Sequence, residues 1–245
     1  MLYLYAMTFN DPKFWTKTPR YKMRGELRTP KPPEDYCRKG LCPPGVNHIA
    51  CDNPFWGPQC KKPREGVNMD RLKSLIVDHH NWLRRLLTRT LPVSPLDPYL
   101  GDLPTAKHFP KVQWDQELSI LAMRVTNFCN DEKASECVNT PRFLNVGKST
   151  MSHSNPVRQF PEAIITQALY FFGFGPLQNV DSTFVTSFPS DASSNEYALA
   201  NIINDKVRYV GCGILLQRSG INWNYHITCL YNEKARPGEQ LYETV

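Results

Sequence analysis

Two histidines stand side by side in the stretch Val-Asp-His-His-Asn-Trp-Leu-Arg-Arg-Leu-Leu, residues 77–87. Imidazole is the side chain best suited to metal ligation and to proton transfer near neutral pH. His79 and His80 are therefore the first candidates for chemistry. A zinc site needs several such donors around an open position, and one imidazole does not make one. The flanking pattern reads as a helix. Leu72, Leu75, Ile76, His79, Leu83, Leu86 and Leu87 recur on one face at about 100° per residue. On that wheel His79 points toward the middle of the apolar stripe, as a packing residue does. His80 sits at its border, where it would line a cleft.

Other reactive patterns are weaker. Gly147-Lys148-Ser149-Thr150 ends like a phosphate-binding loop, but Arg142 stands where that loop needs its first glycine. No Gly-x-Ser-x-Gly elbow occurs. Eight cysteines (Cys37, Cys42, Cys51, Cys60, Cys129, Cys137, Cys212 and Cys229) make an even set with no Cys-x-x-Cys. Cys37, Cys42, His48 and Cys51 offer zinc donors in a spacing of no common finger. Disulfides are the expected state. They leave no thiol for nucleophilic catalysis and place the chain in an oxidising, extracellular compartment. The start, Met-Leu-Tyr-Leu-Tyr-Ala-Met, is apolar without a basic residue before it and turns polar at Asn10. It is not a clear secretory leader.

The elements that must position these residues follow from caps and periodicity. Asp70 is the expected cap of the first helix. A proline-rich loop with Pro92, Pro95, Pro98 and Pro104 comes next. Asp115 should cap a second helix, whose stripe is Leu118, Leu121, Ala122, Val125 and Phe128. Pro161 suits the first position of a third helix running to about Phe172, with Gly173 and Gly175 ending it. Ser193 and Glu196 have capping-box spacing before a short helix through Ile203. The period then changes: residues 207–217 and 224–232 read as strands about a turn-rich connection. Helices followed by late antiparallel strands imply an α+β fold with the sheet between helical layers.

Charge is uneven. The formal net charge is +6, and residues 1–34 hold +4 of it. That stretch is expected to be a basic, proline-rich extension, disordered and not a domain. The rest is close to neutral, which argues against a nucleic-acid binder. Residues 35–66 crowd four cysteines into a span too short for a core of its own, so it should be stapled to something larger. No run is long and apolar enough to cross a membrane. The uncharged stretch 163–180 carries Gln167, Pro176, Gln178 and Asn179 and reads as a buried helix. Tyr170, Phe171, Phe172 and Phe174 are expected in the core.

Several motifs together resemble the CAP superfamily of cysteine-rich secretory proteins, antigen 5 and pathogenesis-related class 1 proteins. They are His80-Asn81-x-x-Arg84, Trp114-Asp115-x-x-Leu118, Val210-Gly211-Cys212, Cys229-Leu230-Tyr231 and Gly238-x-x-x-Tyr242. Their order and spacing cover residues 67–245, read as the CAP domain. The front cluster Asp35-Tyr-Cys-Arg-Lys-Gly-Leu-Cys42, with Cys51 and Cys60, resembles insect antigen 5 proteins. Spacing alone leaves the connectivity open. The resemblance implies the pairs Cys37–Cys51, Cys42–Cys137, Cys60–Cys129 and Cys212–Cys229, and a three-layer α-β-α sandwich. The chain ends soon after Cys229, so the cysteine-rich module through which some relatives act on ion channels is not expected.

Many CAP domains line a cleft with two histidines and two acidic residues, some holding zinc. His80 matches the first histidine. Counting back from Val210 puts Ala198 in place of the second. Lys148 stands in place of the first acid, where a cation would repel a metal. The third helix reads Leu-Tyr-Phe-Phe-Gly at 169–173 and offers no second acid, though Glu196 is near enough in sequence to substitute. His80 is thus a vestigial cleft residue. The resemblance then implies a secreted, non-enzymatic protein with no cofactor. It would bind an extracellular protein or an apolar ligand such as a sterol or fatty acid. The alternative is a metal-assisted hydrolase using His80.

Overall fold

The computed structural model describes residues 34–89, 102–129 and 137–245. Apart from Glu34, the extension lies outside the described residues, as do Pro92, Pro95 and Pro98. The centre is a hairpin of β4, Tyr209–Ser219, and β5, Asn222–Tyr231, turned at Gly220 with φ +59°. Its register pairs Cys212 with Cys229. Outside β5 lies β3, Gly147–Asn155, antiparallel, with Ser149 opposite Cys229. The other edge of β4 takes β1, Arg64–Gly66, antiparallel, and β2, Gln113–Trp114, parallel. The order is β1-β4-β5-β3, with β2 beside β4.

Successive residues of a strand face opposite ways, and each face of this sheet carries its own core. Val210, Cys212, Ile214 and Leu216 of β4, with Tyr225, Ile227, Cys229 and Tyr231 of β5, join the larger one. It is completed by α1, Lys73–Leu87, α3, Pro161–Phe174, and α5, Ser194–Ile203. The opposite face takes α2, Gln116–Thr126, whose Leu118, Leu121, Ala122 and Val125 pack with Leu230. The fold is α+β in three layers, helices on both sides of the sheet. No described helix is long and apolar enough to cross a membrane.

The Val-Gly-Cys motif owes its glycine to the second layer. A Cβ at Gly211 would stand 2.2 Å from the Ser119 nitrogen and 2.6 Å from the Asp115 oxygen. One at Gly213 would stand 2.6 Å from the Met123 nitrogen. The backbone of α2 rests directly on β4, and only hydrogen leaves room for it.

The caps set the helix starts. Asp115 accepts the Leu118 N–H at 2.9 Å. Ser193 and Glu196 close the reciprocal box of α5. Pro161 opens α3. The short α4, Ser182–Thr186, starts at Asp181. At the first helix the cap differs from expectation: Asn68 accepts the Asp70 N–H and caps a 3-10 turn over Met69–Arg71 that leads into α1.

Residues 35–66 are built into the same compact unit. Tyr36, Leu41, Ile49 and Ala50 pack against α2 in the smaller core. Each large apolar side chain so buried contributes about 1.5–3 kcal/mol, and the segment supplies a third of that core's buried residues.

Three expectations need correction. The buried residues of α1 are Ile76, His80, Leu83, Arg84, Leu86 and Leu87, while Leu75 is exposed and His79 half-buried. The face is rotated because two polar residues, His80 and Arg84, belong to the interior. Of the aromatic run, Phe172 and Phe174 are buried, but Tyr170 and Phe171 are 57% and 40% exposed. A helix turning about 100° per residue cannot aim consecutive rings the same way. Gly173 does not end α3 but lies within it, where a Cβ would come 2.9 Å from Leu83 Cδ2. Gly147–Thr150, which lacks the glycines of a phosphate loop, begins strand β3, an element the sequence pattern did not signal.

Candidate functional site

The motif on α1 directs three polar side chains, His80, Asn81 and Arg84, each to different partners. His80 is fully buried. Its Nδ1 lies 2.7 Å from the Ile76 carbonyl one turn back, so that nitrogen carries the proton and donates. Nε2 is then the bare acceptor, 3.1 Å from the Tyr231 hydroxyl, which donates to it. The Tyr231 oxygen accepts from Ser149 on β3. The Ser149 oxygen in turn accepts from Asn201 Nδ2 of α5 at 3.2 Å. Asn201, Ser149, Tyr231 and His80 thus form a chain in which each gives its proton to the next. Burial drives the His80 proton affinity down to about 3 and that of Tyr231 up. Both groups stay neutral across the physiological range.

Asn81 makes a two-way bond to Val112: Nδ2 donates to its carbonyl at 3.1 Å and Oδ1 accepts its N–H at 2.8 Å. Arg84, 1% exposed, donates four hydrogen bonds to carbonyls. Nε reaches Ile202 at 2.8 Å, and Nη2 reaches Asn204 at 2.9 Å. Nη1 reaches Pro110 at 2.9 Å and Val207 at 3.0 Å. Ile202 and Asn204 bound the C-terminal end of α5, whose last carbonyls have no partner within the helix. The guanidinium supplies it, at the end where the helix dipole favours a cation. His80-Asn81-x-x-Arg84 therefore clamps sheet, loop and helix together.

The remaining cleft candidates do not converge on His80. Ala198 is buried in α5 and has no donor atom. Lys148 pairs with Leu230 and Ser149 with Cys229. Lys148 consequently faces the α2 side of the sheet, not the His80 side, which corrects its placement in the cleft. Glu196 is held in the capping box, its Oε2 accepting the Ser193 N–H at 2.6 Å. His79, the supposed packing residue, lies half-buried beside Trp82 and Phe174, with ring centroids 5.3 and 6.5 Å away. Burial lowers its proton affinity too. Sequence reasoning gave Tyr231 no role beyond its motif and missed Ser149 and Asn201. Their signal, polar residues on the inward face of a strand and a helix, exists only once β3 is recognised.

The eight cysteines pair as Cys37–Cys51, Cys42–Cys137, Cys60–Cys129 and Cys212–Cys229, the same pairs the resemblance implies. Cys37, Cys51 and the neighbouring carboxylate of Asp52 cluster within 4.8 Å, but joined sulfurs are not thiolate ligands. His48 is no zinc ligand either. It is stacked on Tyr36 at 4.7 Å, donates from Nε2 to the Asn139 carbonyl at 2.8 Å and accepts the Ala50 N–H at Nδ1.

Fold, motifs and disulfides together define a CAP domain. The family model described as "Cysteine-rich secretory protein family" matches residues 77–231, and the chain belongs to that family. Tabinhibitin 3 of Tabanus yao is 27% identical over 215 residues, covering 85% of this chain and 78% of its own. Venom allergen 3 of Solenopsis invicta is 27% identical over 219 residues, covering 85% and 89%. Among solved structures, venom allergen-like protein 4 of Schistosoma mansoni aligns with a TM-score of 0.51 at 16% identity over 71% of this chain and 94% of its own. NaASP2, solved with Zn2+, aligns at 0.55 and 17% identity over 76% and 90%.

The zinc that the family resemblance implies does not fit the donors present here. Both nitrogens of His80 are engaged, and no second imidazole or carboxylate among the described residues faces it. A zinc ligand would have to give up the Tyr231 bond inside a sealed core, with one donor in place of three or four.

Proposed function

We propose that the protein is a secreted CAP-domain binding protein, not an enzyme, whose partner is another extracellular protein. The observation that carries this reading is the state of His80. The imidazole that would serve a metal-assisted hydrolase is buried out of reach of any substrate and tied at both nitrogens. The four disulfides suit life outside the cytosol. Exposed large apolar side chains, with Phe160 80% exposed, suit contact with another protein. Elemental analysis of the purified full chain tests the non-metal part. Substoichiometric zinc is expected, and stoichiometric zinc that disappears in His80→Ala would overturn it.

One observation favours an apolar ligand as a second reading. Val67, Leu72, Phe160 and Pro161, rimmed by Glu65, Asn68, Arg71 and Glu162, line a cleft of about 470 Å3 between β1 and the start of α3, a size that accommodates small molecules. Titration with cholesterol and with palmitate separates the two. Saturable binding weakened by Phe160→Ala would favour the ligand reading over the protein partner.

A further inference from the structure

Beside the α1 clamp lies a separate cavity of about 240 Å3 between the last turns of α1 and the segment 107–111. It is lined by Arg84, Arg85, Lys107, His108, Phe109 and Lys111, among others, and no carboxylate among the described residues lines it. Lys107 is partly offset by Glu243 at 3.3 Å. Arg85 and Lys111 are exposed and have no acidic partner among the described residues.

Arg84 makes this more than a basic surface. Its guanidinium is buried and charged, yet all four of its hydrogen bonds go to neutral carbonyls. Arg208 and Asp205 act on it with opposite signs. A guanidinium has five N–H donors in a rigid fork, so one remains beyond the four bonds. The site therefore sets the buried cation Arg84 beside two exposed cations without an acidic partner among the described residues, Arg85 and Lys111, and a third, Lys107, that Glu243 partly neutralises. Opposing an anion is the C-terminal end of α1, equivalent to about half a negative charge. The three uncompensated positive charges outweigh it.

We infer that this cavity binds a compact phosphoryl anion, a diphosphate or a phosphomonoester. The planar fork of arginine suits phosphate oxygens, and lysines add point charges. The volume is short of the roughly 300–1,000 Å3 that drug-sized ligands occupy, but it admits a phosphoryl group and its nearest substituent. The site is independent of the His80 chain and of the cleft beside Phe160.

The test is calorimetric titration of the full chain with inorganic pyrophosphate at fixed ionic strength. Saturable binding with one-to-one stoichiometry is expected. Arg85→Ala/Lys111→Ala should weaken it at least tenfold without changing the melting temperature of the free protein, since both side chains are exposed. Arg38→Ala/Lys39→Ala removes the same charge elsewhere and should change affinity less than twofold. Vesicles of phosphatidylcholine with phosphatidic acid identify the source: binding displaced by pyrophosphate assigns a lipid headgroup, and pyrophosphate binding alone assigns a soluble ligand. No saturable heat, or equal weakening by the two double variants, overturns the inference.

Discussion

Replacing Arg84 by methionine tests whether the α1 motif is a clamp. Methionine keeps most of the length and apolar stem and removes the fork. Four carbonyls, on Ile202, Asn204, Pro110 and Val207, lose the guanidinium, and of these Asn204 still accepts the Val207 N–H at 3.1 Å. A buried acceptor left without a partner costs about 1–3 kcal/mol. Relief from holding a desolvated cation works the other way, and Pro110, which lines the cavity, regains water. The balance is a net loss of about 3–5 kcal/mol, the range for breaking a buried charged network. Urea unfolding with disulfides intact measures it. Hydrogen exchange at the C-terminal turn of α5 adds a local readout, because the Ile202 and Asn204 carbonyls that lose the guanidinium flank that turn. A loss under about 1 kcal/mol, with α5 protection unchanged, would refute the clamp.

Further outcomes follow from the same structure. Gly211→Ala drives a methyl into the α2 backbone at 2.2 Å and should cost about 3 kcal/mol or more; a melting temperature near wild type would show that α2 can lift off β4. Removing Cys42–Cys137, with a sequence separation of 95, should cost more than removing Cys37–Cys51, with 14. Chain entropy gives about 4–5 against about 3 kcal/mol, and equal unfolding midpoints for the two double-alanine variants would contradict it. Burial, chiefly, lowers the proton affinity of His48 to about 4, with Arg124 lowering it further and the Asn139 carbonyl and Glu117 opposing. The unfolded histidine titrates near 6.5. The stabilisation by neutral His48 is therefore whole above pH 6.5 and is lost as pH falls through 4, on the order of 2–3 kcal/mol. His48→Gln should flatten that part of a stability–pH profile, and an unchanged slope would remove His48 as its cause.

Local signals carried the helices. Asp115, Pro161 and the Ser193–Glu196 box act within one turn, so their chemistry is visible without knowledge of the fold. The face of α1 was not legible. The apolar wheel sets His80 at the border of the stripe and leaves Arg84 off it, whereas both are buried and solvated by backbone and hydroxyl groups instead of water. Strand β3 was missed for a related reason: Gly-Lys-Ser-Thr-Met-Ser-His-Ser-Asn has no apolar alternation. Its inward Ser149 meets an asparagine and a tyrosine from distant parts of the chain. Ala198, where the motif count expects a second histidine, was readable only against the family motif. The hydrogen-bonded surroundings of His80 were not, because Tyr231, Ser149 and Asn201 come together solely through the tertiary fold.

The proton chain from Asn201 to Ile76 has a sense of direction, and this restricts how the sequence can drift. Reversing any single link sets lone pair against lone pair, or hydrogen against hydrogen, in a place no solvent can reach. Neutral variation at positions 80, 149, 201 and 231 should therefore travel as linked sets, swapping the whole wire for an apolar plug or leaving it untouched.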